Sequence, residues 1–220
     1  MSTASSLTDL QNKCSPAKIL AVSKLQTDEK IRALYQQGQR HFAENYVQEF
    51  TAKTDRLNDL KIHWHFIGHL QKNKAKIVVG KAEVIHSLDS IELAEVLDKQ
   101  AEKLQIQQKV LIQVNLGNEE TKGGLSKEDV VKFWPILCKF PHLALNGLMT
   151  MPPLTEPELA RPFFKELKEL FMVLKSTTPS HHPFTELSMG TSGDFAVALL
   201  EGATIVRIGT ILFGERPTKR

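Results

Sequence analysis

The sequence predicts an α/β fold: a single-domain closed (β/α)8 barrel over residues 1–220, opening with a short N-terminal helical extension. Three observations carry that expectation. Eight short apolar runs alternate with longer amphipathic stretches. The first run leads into Ser23-Lys24-Leu25-Gln26, which lacks the glycines that usually follow the first strand of an open doubly wound sheet. Polar residues gather just past the runs, where one rim of a barrel would collect them.

The runs are rich in Ile, Val and Leu, as parallel strands covered on both faces must be. They fall at Lys18–Ser23, Arg40–Glu44, His63–Ile67, Val84–His86, Val110–Val114, Ala144–Met149, Glu186–Met189 and Ile205–Ile208. Helical stretches are expected at Thr27–Gln37, Asn45–Arg56, Leu70–Val79, Ser90–Leu104, Lys127–Lys139, Pro157–Thr177 and Asp194–Glu201. Thr27, Ser90 and Ser126 each precede early acids, a hydroxyl cap with negative charge at the positive end of a helix. Closure would bring Lys24, Asn45, Gly68-His69, Ser87, Asn115, Met149-Thr150, Ser188 and Arg207 to one rim.

Composition narrows the class. Of 220 residues, 41% are hydrophobic and 24% charged, enough for a sizeable core. The net charge of +3 lacks the concentrated basic face of a nucleic-acid binder. Lys72, Lys74 and Lys76 read as a solvated helix face, with an RNA patch as the weaker alternative. Cys14 and Cys138 are far apart and read as two thiols. The N-terminus has no secretory pattern, and no apolar stretch reaches the roughly 20 residues that span a bilayer, so a cytoplasmic, membrane-free protein is expected.

The chemistry starts at Lys24. An amine ending a buried strand has its charged form disfavoured, which makes it a nucleophile able to form a Schiff base with an aldehyde. Ser188-Met-Gly-Thr-Ser-Gly-Asp194 and Arg207-Ile-Gly209-Thr210 follow the seventh and eighth strands, where barrels bind phosphate. An aldehyde-seeking amine and a phosphate cup together suggest pyridoxal phosphate. Arg207 would donate to an unprotonated pyridine nitrogen and leave the ring a weak electron sink. His63, His65 and His69 invite a metal reading, but only His63 and His65 share a strand face, and a metal site would need a third ligand and a supporting shell; no metal is expected, and His65 could instead reach the barrel interior.

Ala21-Val-Ser-Lys24, Glu44-Asn-Tyr-Val-Gln-Glu49, Trp64-His-Phe-Ile-Gly68, Leu70-Gln-Lys-Asn-Lys74, Gly147-Leu-Met149, Leu187-Ser-Met-Gly190 and Val206-Arg-Ile-Gly-Thr210 occur in order along nearly the whole chain. This combination resembles the pyridoxal-phosphate homeostasis proteins. The resemblance implies a barrel similar to the N-terminal domain of alanine racemase, with pyridoxal 5'-phosphate held as an internal aldimine on Lys24. It implies that Ser188, Gly209 and Thr210 contact the phosphate, that Arg207 faces the ring nitrogen, and that Asn45 and Met149 line the pocket. Ala43, Thr191-Ser192 and Lys72 depart from the usual pattern; of these only Thr191 touches the inferred phosphate turn.

A racemase on this barrel needs a second base, supplied in two-domain relatives by a tyrosine of a further domain. Here the chain ends at Arg220, and its tyrosines are Tyr35 and Tyr46. The expectation is therefore a cofactor carrier with no catalytic residues, without an obvious dimer seam and so a monomer, with apo-enzymes that use pyridoxal phosphate as recipients. A weak racemase or lyase is the alternative, and a Schiff-base aldolase a more distant one.

Overall fold

The computed structural model describes residues 7–117, 123–153 and 155–215. The outer ends of the expected 1–220 domain, residues 1–6 and 216–220, lie outside the described residues. Helix α1 (Leu7–Cys14) turns Leu10 and Cys14 into the core. The strands are β1 (Lys18–Val22), β2 (His41–Glu44), β3 (His63–Phe66), β4 (Val84–Leu88), β5 (Gln108–Val114), β6 (Leu143–Thr150), β7 (Glu186–Thr191) and β8 (Ile205–Ile208). Between and after them lie α2 (Asp28–Gln36), α3 (Val47–Arg56), α4 (Ala75–Val78), α5 (Ile91–Lys103), α6 (Lys127–Leu137), α7 (Pro157–Lys175), α8 (Phe195–Leu200) and α9 (Thr210–Phe213).

All eight strands pair in parallel and in chain order, and β8 closes on β1 with Leu20 opposite Arg207 and Ala21 opposite Ile208. This is the expected (β/α)8 barrel. Alternation along each strand gives two cores. The larger lies between strands and helices, where Phe42, Phe50, Trp64 and Phe66 interlock. Inside the barrel, apolar side chains form two small clusters, Leu20–Ala43–Ile205 with Ile67 against it, and Val84–Leu111–Met149. Buried polar side chains, among them His65, His86, Ser188 and Arg207, lie on strands of the same barrel.

Some elements differ from expectation. The stretch expected as one helix over Leu70–Val79 is a 3-10 turn, Lys72–Lys74, followed by the single turn of α4. Lys72 and Lys76 are like charges one turn apart, and the segment buries few side chains to offset them. Thr27 stands at the N-cap of α2 but makes no capping bond; its hydroxyl is hydrogen-bonded to the Glu29 carboxylate instead. Ser90 does cap, accepting from the Leu93 amide at 3.2 Å, as does Ser126 from Asp129 at 3.0 Å. Replacing Ser90 by alanine is expected to lower the unfolding free energy by about 1 kcal/mol, read from the denaturant midpoint. Cys14 and Cys138 are both free thiols. Among the described residues, no helix is long and apolar enough to cross a membrane.

Candidate functional site

A cavity of about 400 Å³ opens at the rim formed by the C-terminal ends of the strands. Val22, Ile67 and Met151 supply its apolar wall. Lys24, Asn45 and Arg207 supply its polar side chains, and Thr191-Ser192-Gly193 with Gly209-Thr210 bound the end beside β8.

Lys24 is in phase with Leu20 and Val22, so β1 delivers it to the barrel mouth. It is half-buried, and its Nζ lies 4.6 Å from the centroid of the Tyr46 ring. The backbone on either side is clamped by a buried ionic network. Lys53 Nζ donates to the Ser23 carbonyl at 2.7 Å, to Glu44 Oε1 at 2.8 Å and to Glu49 Oε2 at 2.9 Å. Ser23 Oγ donates to Glu44 Oε1 at 2.6 Å, and the Leu25 amide donates to Glu49 Oε2 at 2.8 Å. Leu25 has φ +60, a left-handed conformation uncommon outside glycine, which that last bond helps to hold. Burial pushes the Glu44 carboxyl above its usual range, against the pull of Lys53. For Glu49 burial acts upward too, but the Leu25 amide and Lys53 outweigh it and the pKa is lowered.

Arg207 forms part of the cavity floor. Its Nη1 donates to the Ser188 carbonyl at 2.7 Å and Ser188 Oγ at 2.9 Å, and Nη2 donates to the Thr150 carbonyl at 2.7 Å. Burial pulls its pKa down to about 10, with Asp194 acting in the other direction, so it remains a cation at neutral pH. Beside it, Ser192 Oγ accepts from the Gly209 amide at 3.2 Å. Thr191 donates from its amide and its hydroxyl to Asp194 Oδ1, which ties the turn after β7. Helix α9 begins at Thr210; the Leu212 and Phe213 amides donate to the Gly209 carbonyl, which leaves the Thr210 and Ile211 amides without an acceptor in the helix. A Cβ added at Gly193 would meet nothing within 4 Å, which leaves that stretch of backbone open to a close approach.

The structure thus gathers Lys24, Asn45, Arg207, Gly209 and Thr210 around one cavity. It places Ser188 and Met149 beneath it. Ser188 is fully buried under Arg207, and Met149 packs on Val84 and Leu111 inside the barrel. Both β6 and β7 run further than the sequence suggests, to Thr150 and Thr191, so Met151 and Ser192 stand where Met149 and Ser188 were expected. Continued alternation past the apolar runs was the signal that could have found them. His63, His65 and His69 do not converge on one point. His63 bonds Glu83, His69 bonds Asp89 at 3.1 Å, and His65 is buried in the barrel interior. Among the described residues no group of His, Cys, Asp and Glu is arranged to hold a metal ion.

The site carries its own sign of a polar ligand. Asn45 Oδ1 is buried at the cavity with no hydrogen-bond partner among the described residues, and such atoms are seldom left so. Together with an amine, a guanidinium and helix-start amides, the donor set fits an anionic, ring-nitrogen-bearing aldehyde.

Barrel and site define a protein of the alanine racemase N-terminal type, and the model of that domain family matches residues 3–217. A protein of Aquifex aeolicus named pyridoxal phosphate homeostasis protein is 49% identical over 201 residues, covering 91% of this chain and 87% of the relative. PipY of Synechococcus elongatus PCC7942, solved with pyridoxal phosphate bound, superposes with a TM-score of 0.88 at 38% identity, covering 94% of this chain and 98% of that one. Alanine racemase of Clostridium difficile 630 shares the fold, with a TM-score of 0.73 at 18% identity over 97% of this chain and 56% of the racemase. The chain belongs to the pyridoxal phosphate homeostasis proteins, a family built on that barrel domain.

Proposed function

We propose that the protein binds pyridoxal 5'-phosphate in the rim cavity, holds it as a Schiff base on Lys24 and serves intracellular pyridoxal phosphate homeostasis without robust catalysis. The observation that carries this reading is the convergence of Lys24, Arg207 and the unpartnered Asn45 Oδ1 on one cavity that also meets the Gly209-Thr210 helix start. Pyridoxal phosphate in the related PipY structure supports it. In this reading Gly209, Thr210 and Ser192 hold the phosphate, Arg207 donates to the ring nitrogen, and Asn45 Oδ1 finds a polar partner on the ring. Ser188 and Met149 act from below, Ser188 by fixing Arg207. When bound, the cofactor supplies an electrophilic aldehyde and a conjugated ring that can accept electron density.

What this chain's residues do favours custody over turnover. Arg207 is a cation that donates a hydrogen bond without giving up its proton, so a ring nitrogen accepting from it stays unprotonated. Tyr46 presents its ring face to Lys24. The protein then works as a single-domain cytoplasmic monomer that passes the cofactor to apo-enzymes. Borohydride reduction of the protein loaded with pyridoxal phosphate, followed by peptide mass spectrometry, is expected to find the label on Lys24. A label confined to another lysine would overturn the assignment. A weak racemase or lyase would reveal itself by catalytic exchange of amino-acid α-protons in deuterated solvent.

A further inference from the structure

A chain of polar side chains runs through the barrel from its lower end to Arg207. His41 Nδ1 lies 3.1 Å from His65 Nε2, His65 Nδ1 lies 2.9 Å from His86 Nε2, and His86 Nδ1 lies 3.1 Å from Ser188 Oγ. Ser188 Oγ in turn accepts from Arg207 Nη1 at 2.9 Å. The members come from β2, β3, β4, β7 and β8. His65, His86, Ser188 and Arg207 are all buried, in an interior that barrels ordinarily fill with Val, Ile and Leu. Burying so many polar groups is costly unless each is bonded, and here each is.

Protonation fixes the direction of the chain. Burial, helped by the charge of Arg207, holds His86 down to about 3. Burial and the neighbouring imidazoles hold His65 well below its ordinary value. Around His41 stand His63 on β3, stacked at 4.7 Å, with Lys18 on β1, Glu186 on β7 and Glu83 beside His63; burial dominates and lowers it too. A neutral imidazole has one donor and one acceptor. Ser188 Oγ already accepts from Arg207, and a buried hydroxyl hydrogen needs an acceptor, which His86 Nδ1 provides. His86 then donates from Nε2 to His65 Nδ1, and His65 from Nε2 to His41 Nδ1. The half-buried His41 ends the chain.

We infer that His41, His65 and His86 are positioning residues for Arg207: a one-way hydrogen-bond column that turns the Ser188 hydroxyl away from the guanidinium and leaves the Ser188 lone pairs to it. The column sets how firmly Arg207 is aimed into the cavity, and so the hydrogen bond that reaches a bound ring nitrogen. For its ligand-dependent effect the inference rests on the pyridoxal phosphate reading above.

The test has two arms. In the ligand-free protein labelled with 15N-histidine, two-bond 15N–1H correlations are expected to show His41, His65 and His86 neutral, each protonated at Nε2 and bare at Nδ1. Ser188→Ala should move the His86 Nδ1 resonance toward that of an unbonded ring nitrogen. An Nδ1-protonated or cationic ring at His65 or His86 overturns the inference. In the second arm, wild type and His86→Phe, a ring of similar size, are loaded with pyridoxal phosphate carrying 15N in its ring. His86→Phe is expected to shift the ring-nitrogen resonance and to weaken retention by about tenfold, as loss of support to a charged donor implies, with His86→Gln recovering part of both. An unmoved resonance overturns the inference; if His86→Phe does not fold, Ser188→Ala gives the same reading from the other end of the contact. Failure of the wild type to bind the cofactor counts against the parent reading alone, because the tautomer arm still decides this one.

Discussion

Lys24→Ala abolishes the borohydride-stable adduct and leaves the barrel standing. Both halves of this expected result follow from where Lys24 sits. Its amine lines the cavity and is the proposed point of attachment, so on that reading its removal takes away the covalent adduct entirely. The fold does not depend on that amine. Among the described residues Lys24 makes no salt bridge, and its contact with the Tyr46 ring at 4.6 Å contributes on the order of 1 kcal/mol at this half-buried position. The neighbouring backbone is held through the Ser23 carbonyl and the Leu25 amide, neither of which the substitution removes. Arg207 and the Gly209-Thr210 helix start also remain, so weak, non-covalent cofactor binding should persist. Mass spectrometry after reduction reads the first effect, and thermal unfolding by circular dichroism reads the second, with a midpoint near that of wild type. A reduced label on a different lysine, or a collapsed fold, would show that Lys24 has another role.

Much of this was legible in the sequence because it is local. The eight runs and their order fixed the barrel, and a lysine ending the first run or an arginine in the last needs no tertiary knowledge to stand out. What stayed hidden depends on distance. Ser188 and Met149 were read as rim residues because the apolar runs stop before the strands do; the backbone pairing that carries β7 on to Thr191 is made with β8 and leaves no local trace. The histidine column joins β4 to β7 across the interior, 102 positions apart at His86 and Ser188, so His86 reads as one polar residue in an apolar run. His65 left an open choice for the same reason. The clamp on Lys24 was half visible. Glu49 and Lys53 are one helical turn apart and form an ordinary pair, but their third partner, Glu44, lies on β2 and their anchor, Ser23, follows β1.

That clamp gives the largest expected loss of stability, through Lys53→Met. The methionine fills similar volume, so packing changes little, and the effect isolates the charge. Lys53 is 4% exposed at its side chain and Glu44 0%, so the substitution strands a carboxylate in the core with no cation beside it. Breaking a buried pair in this way costs about 3–5 kcal/mol, a large share of a domain's whole stability. The sign of the pH dependence follows from Glu44. Burial already raises its pKa in the folded state, and removing Lys53 takes away the opposing pull and raises it further. A carboxyl whose folded pKa exceeds its unfolded value is best accommodated when protonated, and the penalty appears as pH rises through the folded value. The deficit of Lys53→Met against wild type is therefore smaller at acid than at neutral pH, and Glu44→Gln added to it recovers part of the loss. Denaturant titrations at the two pH values measure both effects; a deficit below about 1 kcal/mol at neutral pH would place the network outside the stabilising core of the fold. The same substitution frees the Ser23 carbonyl and weakens the hold on Glu49, whose carboxylate keeps Leu25 at φ +60. Lys24 lies between those two anchors, so cofactor retention should fall even under conditions where the variant remains folded. This ties the buried Lys53–Glu44 pair to the aim of Lys24.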